Sequence, residues 1–290
     1  MNFADRLFRR PAVADVGPDR RASGASGGRA VVFVHGSLAS GGMWKSYAGA
    51  VEPQFSTRAP DLVGHGRNPA WPPDRRFRLA DEVAGLAGRV EGLCEPIDIV
   101  AHSYGGLVAL RFAWENFDRV RSLMLIEPTC FRVLSDPVLG EGAGAERAEI
   151  AAVADAVRQG VRLGEPAAAM CRFVEYWNGP GAWRALADDL KDRFAGQAVS
   201  VMGNFDAADT DEMPLAELRD LAIPTLLVSG GRSTAAARRT TAIVAGLLPR
   251  AEAVEIADAG HMSPVTHAGV VRPLVEGWLK EGRVVPQMAA

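Results

Sequence analysis

Cysteine and lysine are scarce in this 290-residue chain, with three of each. Cys94, Cys130 and Cys171 lie far apart and form no CxxC pair. That argues against a disulfide framework, a zinc site or a dithiol redox centre, and no metal or organic cofactor is implied. Long apolar runs are also missing, so no bilayer-spanning segment is expected. The opening MNFADRLFRRPAV lacks the apolar stretch of a secretory signal, which leads to the expectation of a cytoplasmic protein. A net charge of −3 offers no basic surface for nucleic acid or an anionic membrane. The 29 arginines against three lysines look like genome base composition more than function.

What is present suits a large core. Apolar residues make up 48% and charged residues 23%, ordinary values for one α/β domain with or without an insertion. Residues 1–29 are rich in Arg, Gly and Ser, including SGASGG, and read as a loosely ordered segment. Strand-like and helix-like stretches then alternate, as a doubly wound, mostly parallel sheet requires. Ala30 to Val34 is a continuous apolar run of the kind buried on both faces. Phe55 to Ala59, Val120 to Ile126, Ile223 to Ser229 and Val254 to Ile256 are further strands. Helices are predicted over Gly41 to Val51, with Trp44 near a pocket mouth, and over Leu79 to Leu93 and Ala236 to Leu248. Val271, Leu274, Val275 and Trp278 mark the buried stripe of the last helix. From Phe131 to about Pro214 the strand rhythm stops. This Ala-rich, helical stretch carries Phe173, Tyr176, Trp177 and Trp183 and is broken at Asn178-Gly179-Pro180-Gly181.

The stretch Pro96-Ile97-Asp98-Ile99-Val100-Ala101-His102-Ser103-Tyr104-Gly105-Gly106 organises the rest. An apolar run meets a small-x-Ser-x-Gly turn and passes into a helix from Leu107, the order of a nucleophile elbow. At Ser103 the sequence resembles the α/β-hydrolase family. The resemblance is strengthened by His35-Gly36-Ser37 after the first strand, by Pro60-Asp61-Leu62-Val63-Gly64-His65-Gly66 after the second, and by Gly260-His261 after the last. It implies a hydrolase core over 30–130 and 215–290, with 131–214 as an inserted helical lid. It also implies His261 as the base for Ser103, and the backbone N–H groups of Ser37 and Tyr104 as the oxyanion hole. His35, His65 and Asp61 read as structural, His102 as pointing away from the pocket, and His267 as an exposed residue of the last helix.

The sequence departs from the family twice. Ala101 stands where glycine is usual before the elbow. The loop after Ser229 reads Gly230-Gly231-Arg232-Ser233, and no Asp or Glu occurs between Leu221 and Ala251, where the family usually carries its acid. Some members place the acid after the preceding strand, which here ends at Glu127. Three readings therefore stand: Glu127 orients His261, Asp258 does so, or no acid does. Glu127 could instead pair with Arg232, an arginine that could also bind a substrate carboxylate or lie exposed. The implied activity is serine hydrolysis of a small apolar ester or lactone through an acyl-enzyme. Carbon–carbon bond hydrolysis of a diketone-like substrate and ligand binding without turnover are the alternatives.

Overall fold

The computed structural model describes residues 28–52, 54–72, 74–93 and 96–282. The loosely ordered segment expected over 1–29 lies almost wholly outside them. Among the described residues six strands form one parallel sheet: β1 (Ala30–Val34), β2 (Ser56–Arg58), β3 (Ile97–His102), β4 (Val120–Ile126), β5 (Thr225–Gly230) and β6 (Ala251–Ile256). Their order is β2-β1-β3-β4-β5-β6. β1 and β3 are buried along their whole length, which explains why the sequence shows apolar runs there instead of alternation. β6 is an edge strand that exposes Glu252 and Glu255, charges that discourage pairing with another chain.

Successive side chains feed two apolar layers. On one face Val31, Phe33, Val100, Met124, Ile126, Leu226 and Val228 pack with α1 (Lys45–Val51) and with the last helix, through its stripe of Val271, Leu274, Val275 and Trp278. On the other, Val32, Val34, Ile99, Ala101, Leu123, Leu125 and Leu227 meet α2 (Leu79–Arg89) and α3 (Tyr104–Glu115). The helix expected over Gly41 to Val51 is divided: Gly41–Trp44 is a 3₁₀ turn and α1 follows. Trp44 shares the face of Tyr47 and Val51 and packs on the sheet, not at a pocket. It is fully buried, with its ring 5.4 Å from Phe33 and 5.1 Å from Tyr47.

Between β4 and β5 the chain forms four helices: α4 (Gly144–Arg162), α5 (Pro166–Asn178), α6 (Asp188–Ala195) and α7 (Ala198–Asp209). Pro166 opens α5, where its missing N–H costs nothing. Gly179 ends α5 at φ 90°, a conformation that residues with a Cβ rarely adopt. The core then resumes with β5, α8 (Ala235–Leu247), β6, a short α9 (Ser263–Thr266) and α10 (Ala268–Glu281). The inserted helices follow the end of β4 at Ile126, so they cover the edge of the sheet where ligands bind in open α/β folds.

Candidate active site

Ser103 sits between β3 and α3 at φ 55° and ψ −123°, a backbone state that a serine adopts only when its surroundings impose it. The constraint is steric. A Cβ at Gly105 would lie 2.3 Å from the His35 carbonyl oxygen, and one at Gly36 would lie 2.8 Å from Ser103 Cβ. Only glycines let the β1 exit and the elbow approach this closely. Ala101, the departure before the elbow, is tolerated because its methyl group joins the buried layer.

His261 and Glu127 complete the arrangement. His261 Nε2 lies 2.9 Å from Ser103 Oγ, and His261 Nδ1 lies 2.6 Å from Glu127 Oε2. A carboxylate only accepts, so Nδ1 carries the proton and Nε2 presents a lone pair to the serine hydroxyl. Glu127 follows the last residue of β4; its own N–H still donates to Val228 O at 2.9 Å, and the chain then turns at φ 46°. The carboxylate is 1% exposed, which alone would push its pKa up. The hydrogen bond from His261, with those from Ser233 and Gly230, outweighs that burial and holds the group below the usual carboxylate range. Gly230 N–H donates to Oε1 at 2.7 Å and Ser233 Oγ to Oε2 at 2.6 Å.

The loop that lacks an acid therefore contributes two donors to an acid carried by the neighbouring strand. Asp258 is elsewhere: it is exposed and lies 3.6 Å from His267 Nε2. Arg232 is exposed and does not pair with Glu127. His267 is partly buried and precedes the last helix as its cap instead of belonging to it. His35 and His65 are structural as expected. His35 Nδ1–H donates to Gly36 O at 2.7 Å while Nε2 accepts from Leu62 N–H at 3.0 Å, and His65 Nδ1 bonds Val63 O at 2.7 Å. Burial lowers the pKa of His35 to about 4, so it remains neutral.

Sequence reasoning missed three supports of His261. His102 Nε2–H donates to the His261 carbonyl at 2.9 Å, so the side chain that leaves the pocket braces the backbone beneath it. Burial, and then the neighbouring His261, lower the pKa of His102 to about 3. Tyr47 Oη donates to Pro264 O at 2.6 Å and holds the turn that follows His261. From the insertion, the Trp177 ring stacks on the His261 ring with centroids 3.7 Å apart and planes 23° apart.

The cavity before Ser103 is lined by Ser37, Tyr104 and Thr129, by the apolar Phe131, Phe173, Trp177, Phe205 and Ala208, and by Asn204. About 20 Å³ is free, room for about one water. Among the described residues no cluster of three or more His, Cys, Asp or Glu is placed to hold a metal ion, and no helix is long and apolar enough to cross a membrane. A buried nucleophile, a base with its lone pair aimed at it and a carboxylate behind the base form a serine-hydrolase triad.

Comparison with known proteins agrees. The model described as Alpha/beta hydrolase family matches residues 31–273. A pimeloyl-acyl-carrier-protein methyl ester esterase of Neisseria meningitidis is 28% identical over 264 residues, spanning 86% of this chain and 94% of that protein. Lipase LipV of Mycobacterium tuberculosis is 35% identical over 106 residues, 36% of this chain and 39% of the lipase. The solved structure of a thermophilic esterase from Thermogutta terrifontis, with malate bound, superposes with a TM-score of 0.61 at 26% identity, over 91% of each chain.

Proposed function

The chain belongs to the alpha/beta hydrolase family, and from that membership we propose that it cleaves small, largely apolar esters or lactones through an acyl-enzyme on Ser103. The reading is carried by the 2.9 Å contact of Ser103 Oγ with His261 Nε2, backed by Glu127 at 2.6 Å. Ser103 Oγ attacks the carbonyl carbon as His261 Nε2 takes its proton. Glu127 keeps the imidazole in that tautomer and stabilises the cation that forms. The backbone N–H groups of Ser37 and Tyr104 hold the carbonyl oxygen as it becomes an oxyanion. His261 then gives the proton to the leaving alkoxide. A water activated by the same imidazole hydrolyses the acyl-enzyme and frees the acid.

Substrate size and polarity follow from the lining. Phe131, Phe173, Trp177, Phe205 and Ala208 favour apolar groups, and the small free volume supports a reading in which inserted residues 131–214 act as a lid and shift to admit a substrate. Esterase and lipase relatives support ester cleavage. The carboxylate of Glu127 behind the base favours turnover over ligand binding alone. Cys130 and Cys171 are unpaired thiols, which suits the reducing cytoplasm we assign to the protein.

A fluorophosphonate probe tests the reading directly. It should label the wild type and not Ser103→Ala, and His261→Ala should lose hydrolysis of short nitrophenyl esters. Equal labelling of wild type and Ser103→Ala would refute the assignment.

A further inference from the structure

Asn204 has no part in the chemistry above, yet it lines the catalytic cavity. It lies on α7, where the other buried residues are Ala198, Val201, Phe205, Ala207 and Ala208. An amide on an otherwise apolar face is costly unless its polar atoms are used. Asn204 is 4% exposed, and its Oδ1 accepts from Ser37 Oγ at 2.7 Å. That bond leaves Nδ2 as the free end of the amide, and Nδ2 has no hydrogen-bond partner. The Tyr104 hydroxyl lies beside the amide, near enough for a weak contact with it, and neither it nor Nδ2 makes a well-formed hydrogen bond. Both residues border the same void as Ser103, a void of about one water molecule. Two buried polar groups without a well-formed bond, facing the cavity before the nucleophile, can take a hydrogen-bonding atom of a substrate.

We propose that Asn204 Nδ2, with the Tyr104 hydroxyl, binds a second oxygen on the acyl part of the substrate. The preferred substrates are then esters of β-keto or β-hydroxy acids, not plain alkyl esters. The inference rests on the serine-hydrolase reading and narrows its substrate class. Its direction comes from the chemistry. The alkoxy oxygen must face His261 Nε2, which protonates it, while the carbonyl oxygen faces the Ser37 N–H. Asn204 is bonded to Ser37 and so stands on the carbonyl side. A β-oxygen of the acyl chain can fold to that same side and reach a donor there. A site with a buried donor discriminates strongly against an analogue that cannot fill it, because the donor is then left unpaired.

The test compares ethyl acetoacetate with ethyl isovalerate, which has similar bulk but no β-oxygen, by pH-stat. Each kcat/KM is divided by the ester's uncatalysed hydrolysis rate at the same neutral pH, where acetoacetate is not ionised to its enolate, to remove intrinsic reactivity. The wild type should favour acetoacetate by at least about tenfold, and Asn204→Leu should bring that ratio close to one. Asn204→Asp preserves the shape and the Ser37 contact but has no N–H to give, so it should lose the preference even if the leucine variant folds poorly. A wild-type ratio near one, or a ratio that survives in both variants, overturns the proposal. Fluorophosphonate labelling separates the two levels: labelled enzyme without the preference sinks only this inference, whereas unlabelled enzyme that turns over neither ester sinks the hydrolase reading beneath it.

Discussion

Glu127→Gln replaces an acceptor-only group with one acceptor and one donor, and the structure dictates which way the amide settles. One position must accept from Gly230 N–H, a backbone group that cannot rotate away. The other faces both His261 Nδ1 and Ser233 Oγ. With the amide oxygen toward Gly230, its NH₂ can donate to both Nδ1 and a rotated Ser233 hydroxyl, and every bond is satisfied. That solution moves the imidazole proton to Nε2, which can no longer accept from Ser103. The reverse orientation sets NH₂ against the Gly230 N–H and leaves a buried donor unpaired, at about 1–3 kcal/mol. The inactive tautomer is therefore the stable one. A serine triad held in the wrong tautomer loses about ten-thousandfold in kcat, about 5 kcal/mol of transition-state stabilisation. Steady-state hydrolysis of a short nitrophenyl ester, run beside the rate of fluorophosphonate labelling, reads the loss, and both should fall together. The melting temperature at neutral pH should move little, because the amide finds partners. Asp258→Asn should stay within about twofold of wild type, since the Asp258 side chain is exposed and meets His267 instead of His261. A Glu127→Gln enzyme that keeps a tenth of its turnover, or an Asp258→Asn enzyme impaired more than Glu127→Gln, would show the reasoning to be wrong.

Two further outcomes are expected. Trp177→Leu removes the ring stacked on His261 and enlarges the cavity, so the ratio of kcat/KM for a nitrophenyl octanoate to that for the butyrate should rise about tenfold. An unchanged ratio would mean that the indole does not limit chain length. His102 is held neutral by burial, with its pKa lowered from 6.5 to about 3. As pH falls below 6.5 the unfolded chain therefore takes up a proton that the folded one refuses, and stability drops by about 1.4 kcal/mol per pH unit until the folded value is reached. Glu82, raised to about 7 by burial, works in the opposite direction, so the informative quantity is the stability difference between wild type and His102→Gln in urea. That difference should shift against the wild type with this slope between about pH 6 and pH 4, and parallel curves would contradict it.

Much of this site can be read from sequence because its signals are local. The elbow around Ser103, the apolar runs of β1 and β4 and the Gly-His turn at 261 each declare themselves within a few residues. Glu127 emerged through the family resemblance, once the usual acid loop proved empty of carboxylates. Ser233, Asn204 and Trp177 could not be read in this way. Ser233 meets Glu127 across 106 positions, and Asn204 meets Ser37 across 167, contacts that depend on how separate elements dock. Val201, Ala207 and Ala208 stand at i−3, i+3 and i+4 from Asn204, which marks it as a polar residue on an apolar helix face but does not say what it meets. The error at Trp44 is of another kind. Trp44, Tyr47 and Val51 stand at i, i+3 and i+7, one helical face, and that face packs on the sheet, so the spacing itself already favoured a core position for the indole.

The nucleophile, base and acid all project from the ends of sheet strands or the turns just beyond them, while Trp177 and Asn204 arrive on inserted helices. Reactivity and selectivity thus have separate addresses in the chain. Exchanging the segment between β4 and β5 could retune which acids are released while the bond-breaking apparatus is inherited intact, making that segment the natural place to diversify a library of this enzyme.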